Sequence, residues 1–170
     1  MKTVLLLAVV ILISSNAYSS DPQVGLMGIY LDEGRNNNCY WGNTQYVQME
    51  MWIWCRPGDN GMICTEFKLS RYSYGDYFVI PMYEFTNPAI SYESGSLWDG
   101  VSVCFCDCQY DWVWTHRHSI FLWATSGVSI WAEKLPDSDM LRFKTCQPGY
   151  PEEQAYSSYL CINDGWCCYG

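Results

Sequence analysis

The ten cysteines are the residues best suited to chemistry, either disulfide formation or the binding of a soft metal ion. All ten follow an apolar N-terminal segment, and their number is even. An even number of cysteines in a chain bound for an oxidising compartment predicts a disulfide framework. We therefore expect disulfides to involve all of them: Cys39, Cys55, Cys64, Cys104, Cys106, Cys108, Cys146, Cys161, Cys167 and Cys168.

Three of these cysteines, Cys104, Cys106 and Cys108, occupy alternate positions. On a β-strand this spacing places the three sulfurs on one face, with successive positions about 6.5–7 Å apart. Such a separation is at or beyond the limit for a disulfide between neighbours, so each should pair with a cysteine on another strand or loop. The alternative is a zinc ion held by three thiolates and a fourth ligand, which an oxidising compartment disfavours.

Two further groups of residues offer metal ligands. His116 and His118, the only histidines, would share one face of a strand, a spacing that can chelate zinc or copper. The alternative is two polar residues on a solvent-facing strand surface. Asp32, in a turn rich in acidic and amide side chains, offers oxygen ligands for calcium, but the turn lacks the ligand register of an EF-hand and is equally typical of a solvated loop. No cofactor is predicted.

Aromatic residues are unusually frequent, with nine Trp and fourteen Tyr. Trp52 and Trp54 alternate with apolar residues and lie beside Glu50, so a strand would present them on the face opposite the apolar one. Two aligned indoles flanked by a carboxylate suit stacking on sugar rings, and Trp131 could extend this platform. The alternative is a second sheet that covers both tryptophans.

Recognisable catalytic motifs are missing. The chain contains neither Gly-x-Ser-x-Gly nor His-Glu-x-x-His. A dispersed Ser/His/Asp set or a carboxylate pair leaves a secreted hydrolase as a distant alternative. We predict no catalytic residue.

Strand-like alternation dominates the chain, and helical periodicity is nearly absent. Eight or so short strands at regular spacing predict an all-β, antiparallel, disulfide-stapled sandwich of Ig-like or jelly-roll-like type. Residues 46–55 and 62–69, separated by a Pro- and Gly-containing turn, are expected to form a hairpin. Pro81 marks its strand as an edge strand or as one with a bulge.

The N-terminal segment and the charge bound the location and the partners. Residues 1–20 combine Lys2 with an apolar run too short to span a bilayer, which predicts a signal peptide followed by a single disulfide-rich β domain at 21–170. The formal charge of −9 disfavours nucleic acid. No membrane insertion is expected.

The order of several short motifs resembles a group of secreted bacterial β-sandwich proteins without assigned activity. The resemblance consists of Gly28-Ile29-Tyr30-Leu31-Asp32 followed by Asn38-Cys39, a later Gly100-Val101 strand running to Cys108, and a cysteine-terminated tail at Cys161–Cys168. It implies a β-sandwich in an extracellular or cell-surface setting and supplies no catalytic residue. The additional cysteines and the Trp and Tyr content set this chain apart from that group.

Together these features predict a secreted, non-enzymatic protein that acts by protein–protein contact or assembly. The partner would be another protein surface, including a second copy of the chain. A carbohydrate-binding module that uses Trp52, Trp54, Glu50 and Trp131 on an extracellular glycan is the alternative. Exposure of the Trp52/Trp54 face separates these two functions.

Overall fold

The computed structural model describes residues 24–42, 46–124 and 126–164, and these residues form β-strands, turns and loops. No helix in this part of the chain has the length and hydropathy needed to cross a membrane. The strands in chain order are β1 (Gly25–Tyr30), β2 (Cys39–Tyr40), β3 (Tyr46–Arg56), β4 (Met62–Ser73), β5 (Tyr77–Thr86), β6 (Ile90–Ser96), β7 (Gly100–Gln109), β8 (Val113–Ala124), β9 (Val128–Glu133), β10 (Arg142–Lys144), β11 (Glu152–Ser157) and β12 (Tyr159–Ile162).

The strands are arranged as two layers around an apolar core. The front sheet has the order β11-β1-β3-β8-β5, and the back sheet has the order β6-β7-β4-β9-β12-β2. Pairing is antiparallel except between β1 and β11 and between β12 and β2. On one side the layers are joined, because β10 pairs with β4 and β11, and β11 continues alongside β1. On the other side the edge strands β5 and β6 leave the sandwich open.

β3 shows why these residues form strands. Val47, Met49, Met51, Ile53 and Cys55 are all buried and point into the core. The alternate residues point outward, and those from the N-terminal half of the strand are exposed. An apolar residue at every second position lets a strand bury one face and solvate the other. The prediction for residues 46–55 is confirmed.

The strand count differs from the predicted eight, because the sequence analysis missed three strands. β2 is two residues long, whereas β6 and β11 are rich in polar residues. In β11 only Ala155 is buried. Edge and bridging strands need backbone hydrogen bonds more than apolar side chains, so they lack the alternation by which strands are recognised.

The predicted hairpin of residues 46–55 with 62–69 is wrong. β3 pairs with β1 and β8 in the front sheet, whereas β4 pairs with β7, β9 and β10. The turn between β3 and β4 therefore carries the chain from one layer to the other. Alternation on both strands is satisfied equally well by packing face to face across the core as by pairing side by side.

A tight hairpin does connect β6 with β7. Its turn depends on Gly95, which has a φ of 98°, because a Cβ there would lie 2.0 Å from the carbonyl oxygen of Gly100. Only glycine meets both the backbone conformation and the close approach. The prediction for Pro81 is confirmed, since β5 is an edge strand with a register shift between Pro81 and Tyr83.

Disulfides hold the back sheet. Cys104 on β7 lies directly opposite Cys64 on β4 and is bonded to it, and Cys108 is bonded to Cys146. Both bonds connect β7 to other segments, as the spacing of its cysteines predicted. Cys39 and Cys161 are disulfide-bonded as well. Cys167 and Cys168 lie outside the described residues.

Two cysteines that the sequence analysis placed in disulfides carry free thiols instead. Cys55 is buried in the core opposite Met27 and Val113, so no cysteine faces it across either neighbouring strand. Cys106 is exposed on β7 between two bonded cysteines. An even count therefore did not require complete pairing.

We expect Cys106 to react with iodoacetamide in the folded protein and Cys55 only after unfolding. Exposure leaves the first sulfur accessible, whereas burial both shields the Cys55 sulfur and raises the pKa of its thiol. Peptide mapping by mass spectrometry, with and without denaturant, measures both. Modification of Cys55 in the native state, or protection of Cys106, would contradict this assignment.

An ion-pair network joins β4, β10 and β11. The Arg142 guanidinium contacts the Glu66 carboxylate at 2.7 Å and the Glu152 carboxylate at 2.7 Å. The hydrogen bond from Arg142 is the main cause of a lowered Glu66 pKa. A carboxyl whose pKa is lower in the folded state stabilises the protein above its unfolded pKa, and this contribution is lost as the pH falls through the folded pKa.

Glu66→Gln is therefore expected to lower the free energy of unfolding by about 1 kcal/mol at neutral pH. At about pH 3 the difference from the wild type should shrink, because the wild-type carboxyl is then approaching its neutral form. Urea titrations at the two pH values measure this. Glu50→Gln is the control, and an equal loss at both pH values would contradict the electrostatic explanation.

Candidate functional site: the aromatic face of the front sheet

The outer surface of the front sheet carries aromatic side chains from three adjacent strands. Residues opposite one another on β3, β8 and β5 form rows across the sheet. The rows are Tyr46–Trp123–Phe78, Gln48–Phe121–Ile80, Glu50–Ser119–Tyr83 and Trp52–Arg117–Phe85. We call these residues, together with Trp54, Trp114, Arg35 and Trp112, the aromatic face.

At one end of this face four rings pack together. Phe78 stacks on Trp123 with ring centres 5.3 Å apart, and Tyr46 stacks on Phe121 at 6.0 Å. Phe78 also contacts Phe121 at 6.3 Å, which links the two pairs. Tyr46 and Phe78 are nevertheless exposed. The contacts orient the rings and leave their outer surfaces in water.

At the other end, three indoles and an arginine form a second cluster. Trp52 stacks on Trp54 at 6.5 Å and meets Trp114 edge-on at 5.5 Å. The Arg117 guanidinium lies over Trp52 at 5.4 Å and over Phe85 at 4.3 Å. A guanidinium on an aromatic face combines cation–π attraction with apolar contact, so Arg117 is part of the packed surface.

Arg35, from the loop between β1 and β2, covers the last indoles. Its guanidinium lies 4.5 Å from the Trp54 ring centre and 5.1 Å from that of Trp112. Trp54 is consequently only 7% exposed, although it belongs to the outer face of the sheet. Trp112 also has the guanidinium of Arg56 over it, at 5.6 Å.

The predicted binding residues are thus only partly brought together. Trp52, Trp54 and Glu50 share an outer face that the back sheet does not cover, with Glu50 exposed, Trp52 half-buried and Trp54 beneath Arg35. Trp131 lies on β9 of the back sheet, where it contacts Tyr159, so it does not extend the Trp52/Trp54 platform.

The sequence analysis overlooked the contributions of β5 and β8 to this face. Phe78 and Ile80 alternate on β5, and Phe121 and Trp123 alternate on β8. Two strands with apolar residues on both faces were the available signal, because a strand of a two-layer sandwich needs only one apolar face to form the core.

The two histidines point into the core. His116 is 0% and His118 2% exposed, so the predicted shared face is correct but the alternative of a solvent-facing surface is wrong. The cause is a β-bulge in β8 at Thr115, opposite the step from Ile53 to Trp54. The extra residue shifts the inward positions from Val113 to the series that begins at His116.

His116 meets two carboxylates at the open edge of the sandwich. Its Nε2 lies 3.2 Å from Glu93 Oε1 and 3.8 Å from Glu84 Oε1. Glu84 belongs to β5 and Glu93 to β6, and Glu84 is also the register partner of His118. We call Glu84, Glu93, His116 and His118 the edge cluster.

Burial governs the protonation of this cluster. It lowers the pKa of His116 against an opposing effect of Glu93, and it lowers the pKa of His118 together with repulsion from His116. Burial, and then the nearby Glu93 carboxylate, raise the pKa of Glu84. These directions describe neutral imidazoles beside two carboxyl groups.

Asp32, the predicted calcium ligand, organises its own turn. Its Oδ1 accepts a hydrogen bond from the Asn36 N–H at 2.9 Å, and its carbonyl accepts one from the Arg35 N–H at 3.3 Å. This turn holds Arg35 at a φ of 60°, where its side chain reaches Trp54. The role visible for Asp32 is therefore to position the residue that covers the aromatic face.

No protein-family model matches the chain, and no curated protein matches its sequence. Among solved structures, it is similar to a cohesin chain from the crystal structure of the CaDoc0917–CaCohA2 complex at pH 5.5, with 8% identity, a TM-score of 0.52, and coverage of 82% of this chain and 99% of that chain. It is also similar to the cohesin module of a Clostridium perfringens family 33 glycoside hydrolase, with 10% identity, a TM-score of 0.45, and coverage of 83% and 98%. The first similarity shows a cohesin-like fold and nothing more.

Arg35→Ala is expected to lower the free energy of unfolding by about 1 kcal/mol, because the guanidinium packs on two indoles. Arg35→Lys should recover only part of this loss, since an ammonium keeps the charge but not the planar stacking. Neither substituent is a glycine, so the strain of a positive φ is similar in all three proteins. Urea denaturation measures both variants, and equal stability of the two would contradict a stacking role.

Proposed function

We propose that this is a secreted, non-enzymatic module that binds another protein through the aromatic face. The observation that carries the proposal is an uncovered sheet surface on which Tyr46, Phe78, Ile80, Tyr83 and Phe85 are all exposed. Contiguous apolar surface of this kind is uncommon on soluble monomers and marks sites of contact with other molecules.

The composition of the face favours a protein partner. Interface cores are enriched in Trp, Tyr, Phe and Arg, and the residues that dominate binding energy come mainly from Trp, Tyr and Arg. Here the rings are held by one another and by Arg35 and Arg117, so little side-chain entropy is lost when a partner docks.

Charge narrows the class of partner. The chain has a formal charge of −9, yet Arg35, Arg56 and Arg117, three of its nine basic residues, contact aromatic rings of this face. We therefore expect a partner surface that combines apolar and acidic residues. A second copy of the chain fits less well, because two strongly acidic molecules repel each other.

The fold and the disulfides agree with this function. The structure that the chain resembles, with a TM-score of 0.52, was determined as a complex. Disulfides such as Cys64–Cys104 suit an extracellular or cell-surface location, and kinship with secreted bacterial β-sandwich proteins is part of the same proposal. The predicted signal peptide lies outside the described residues.

Glycan binding is the second candidate, because Trp52 stays half-exposed beside the exposed Glu50 on the same uncovered sheet. The coverage of Trp54 by Arg35 removes one of the two open indoles on which the sugar platform depended. Affinity electrophoresis against soluble polysaccharides distinguishes this candidate. Retardation that is lost in Trp52→Ala would identify a carbohydrate-binding module.

The protein-binding proposal is tested with Phe78→Ser/Phe85→Ser and with the control Tyr74→Ser/Tyr92→Ser. All four side chains are exposed, but the control residues lie off the aromatic face. A partner captured from the extracellular fraction of the source organism is purified, and its Kd is measured for each protein. We expect the first variant to weaken binding about 30-fold or more and the control to leave Kd within about twofold.

Equal weakening by both variants, or by neither, would overturn the assignment of binding to this face. Sedimentation velocity of the chain alone tests the alternative of self-association. A dimer that Phe78→Ser/Phe85→Ser dissociates would replace the heterologous partner with a second copy.

A further inference from the structure

The edge cluster brings together two carboxylates and an imidazole in an arrangement that the aromatic face does not use. Glu84, Glu93 and His116 come from β5, β6 and β8, and their ligand atoms all lie within 4.8 Å of one another. They lie on the inner side of the front sheet, at the open edge of the sandwich, whereas the aromatic face is on its outer side.

The spacing suits a small divalent cation. Four ligands at bond lengths of about 2.0–2.1 Å around tetrahedral zinc are separated from each other by about 3.3–3.4 Å. Here His116 Nε2 is 3.2 Å from Glu93 Oε1 and 3.8 Å from Glu84 Oε1. Small rotations of the exposed carboxylates would bring all three atoms to bonding distance of one ion.

The electrostatics of the cluster also call for a cation. Two carboxylates converge on a fully buried imidazole, and among the described residues no lysine or arginine forms an ion pair with either of them. Mutual repulsion of the carboxylates is unfavourable in a half-buried cleft, and a divalent cation would reverse it.

The neighbouring histidine supplies an independent observation. His118 is 98% buried, and within the described part of the chain neither of its ring nitrogens has a hydrogen-bond partner. It occupies the inward position next to His116 and is paired in register with Glu84, so its ring lies on the same side of the sheet as the cluster. Buried polar atoms without partners are rare and indicate a missing ligand or water.

The surrounding hydrogen bonds hold the ligands in place. The Thr86 hydroxyl donates to Glu93 Oε2 at 2.8 Å, which leaves Oε1 directed at His116. Asn87, in the loop between β5 and β6, donates from Nδ2 to the Trp114 carbonyl at 2.7 Å and from its backbone N–H to the Thr115 carbonyl at 2.9 Å. Such supporting contacts are typical of metal sites, whose ligands are oriented by a second layer of hydrogen bonds.

We propose that Glu84, Glu93 and His116 bind a divalent transition-metal ion of the zinc type, with His118 beside them as a further nitrogen donor. An imidazole among the ligands favours zinc over calcium, which takes six to eight oxygen ligands. The ion would cross-link β5 and β6, the two edge strands at the open side of the sandwich. This inference does not depend on the proposed protein-binding function.

Calorimetric titration of the EDTA-treated and desalted full chain with ZnCl2 tests the proposal. The Cys106→Ser background removes the exposed thiol as a competing ligand. We expect one saturable site, and a rise in Tm of about 5–10 °C when free zinc is about 100 times Kd. Zinc should also shift the ring nitrogen signals of His116 in NMR spectra of the imidazole groups.

Glu84→Gln and Glu93→Gln, singly and together, keep the size of each side chain and remove a ligand charge. The double variant is expected to weaken zinc binding about 100-fold or more, whereas Glu50→Gln, on the outer face of the same sheet, should leave Kd within about twofold. Each variant is checked for cooperative unfolding before titration. No saturable binding, zinc binding unaffected by the double variant, or unchanged His116 signals would overturn the proposal.

Discussion

One extra residue in β8 decides which side chains of the front sheet meet the core and which meet the solvent. Thr115 has no partner on β3, and its hydroxyl donates to the Ile53 carbonyl at 3.4 Å inside the core. Without this bulge the inward series that contains Val113 would continue through Arg117 and Phe121, and a guanidinium would lie in the core. The bulge instead turns Arg117 outward onto Trp52 and Phe85 and turns His116 inward to the two glutamates.

The two sides of the sandwich differ in how they are finished. On the closed side, β10 and β11 connect the layers through backbone pairing and through the Arg142 ion pairs. On the open side, β5 and β6 are connected covalently by a short loop and lie against each other only through side chains. Polar residues such as His116 and Glu93 are tolerated there because one partner reaches water while the other is buried.

Alternation in the sequence predicted the strands that carry the core but not how they are paired. The register of β3 and the position of β12 could be read from apolar spacing and from turns, whereas β6 and β11 have too few buried side chains to be recognised. Alternation also cannot distinguish side-by-side pairing from packing across the core, which is why the hairpin prediction failed. The inward direction of His118 was legible in principle, since Ile120 and Leu122 share its parity on the strand.

The candidate face was harder to predict, because its character depends on contacts between distant segments. The spacing of Trp52 and Trp54 placed them correctly on the outer face, but the loop that covers Trp54 contributes Arg35 from a separate turn. The stability of the sandwich does not require apolar side chains at Phe78, Ile80 and Phe85, since their strand already buries its inner face against the core. Exposed rings that are fixed by their neighbours, and that the core does not need, are best explained by a partner that removes them from water.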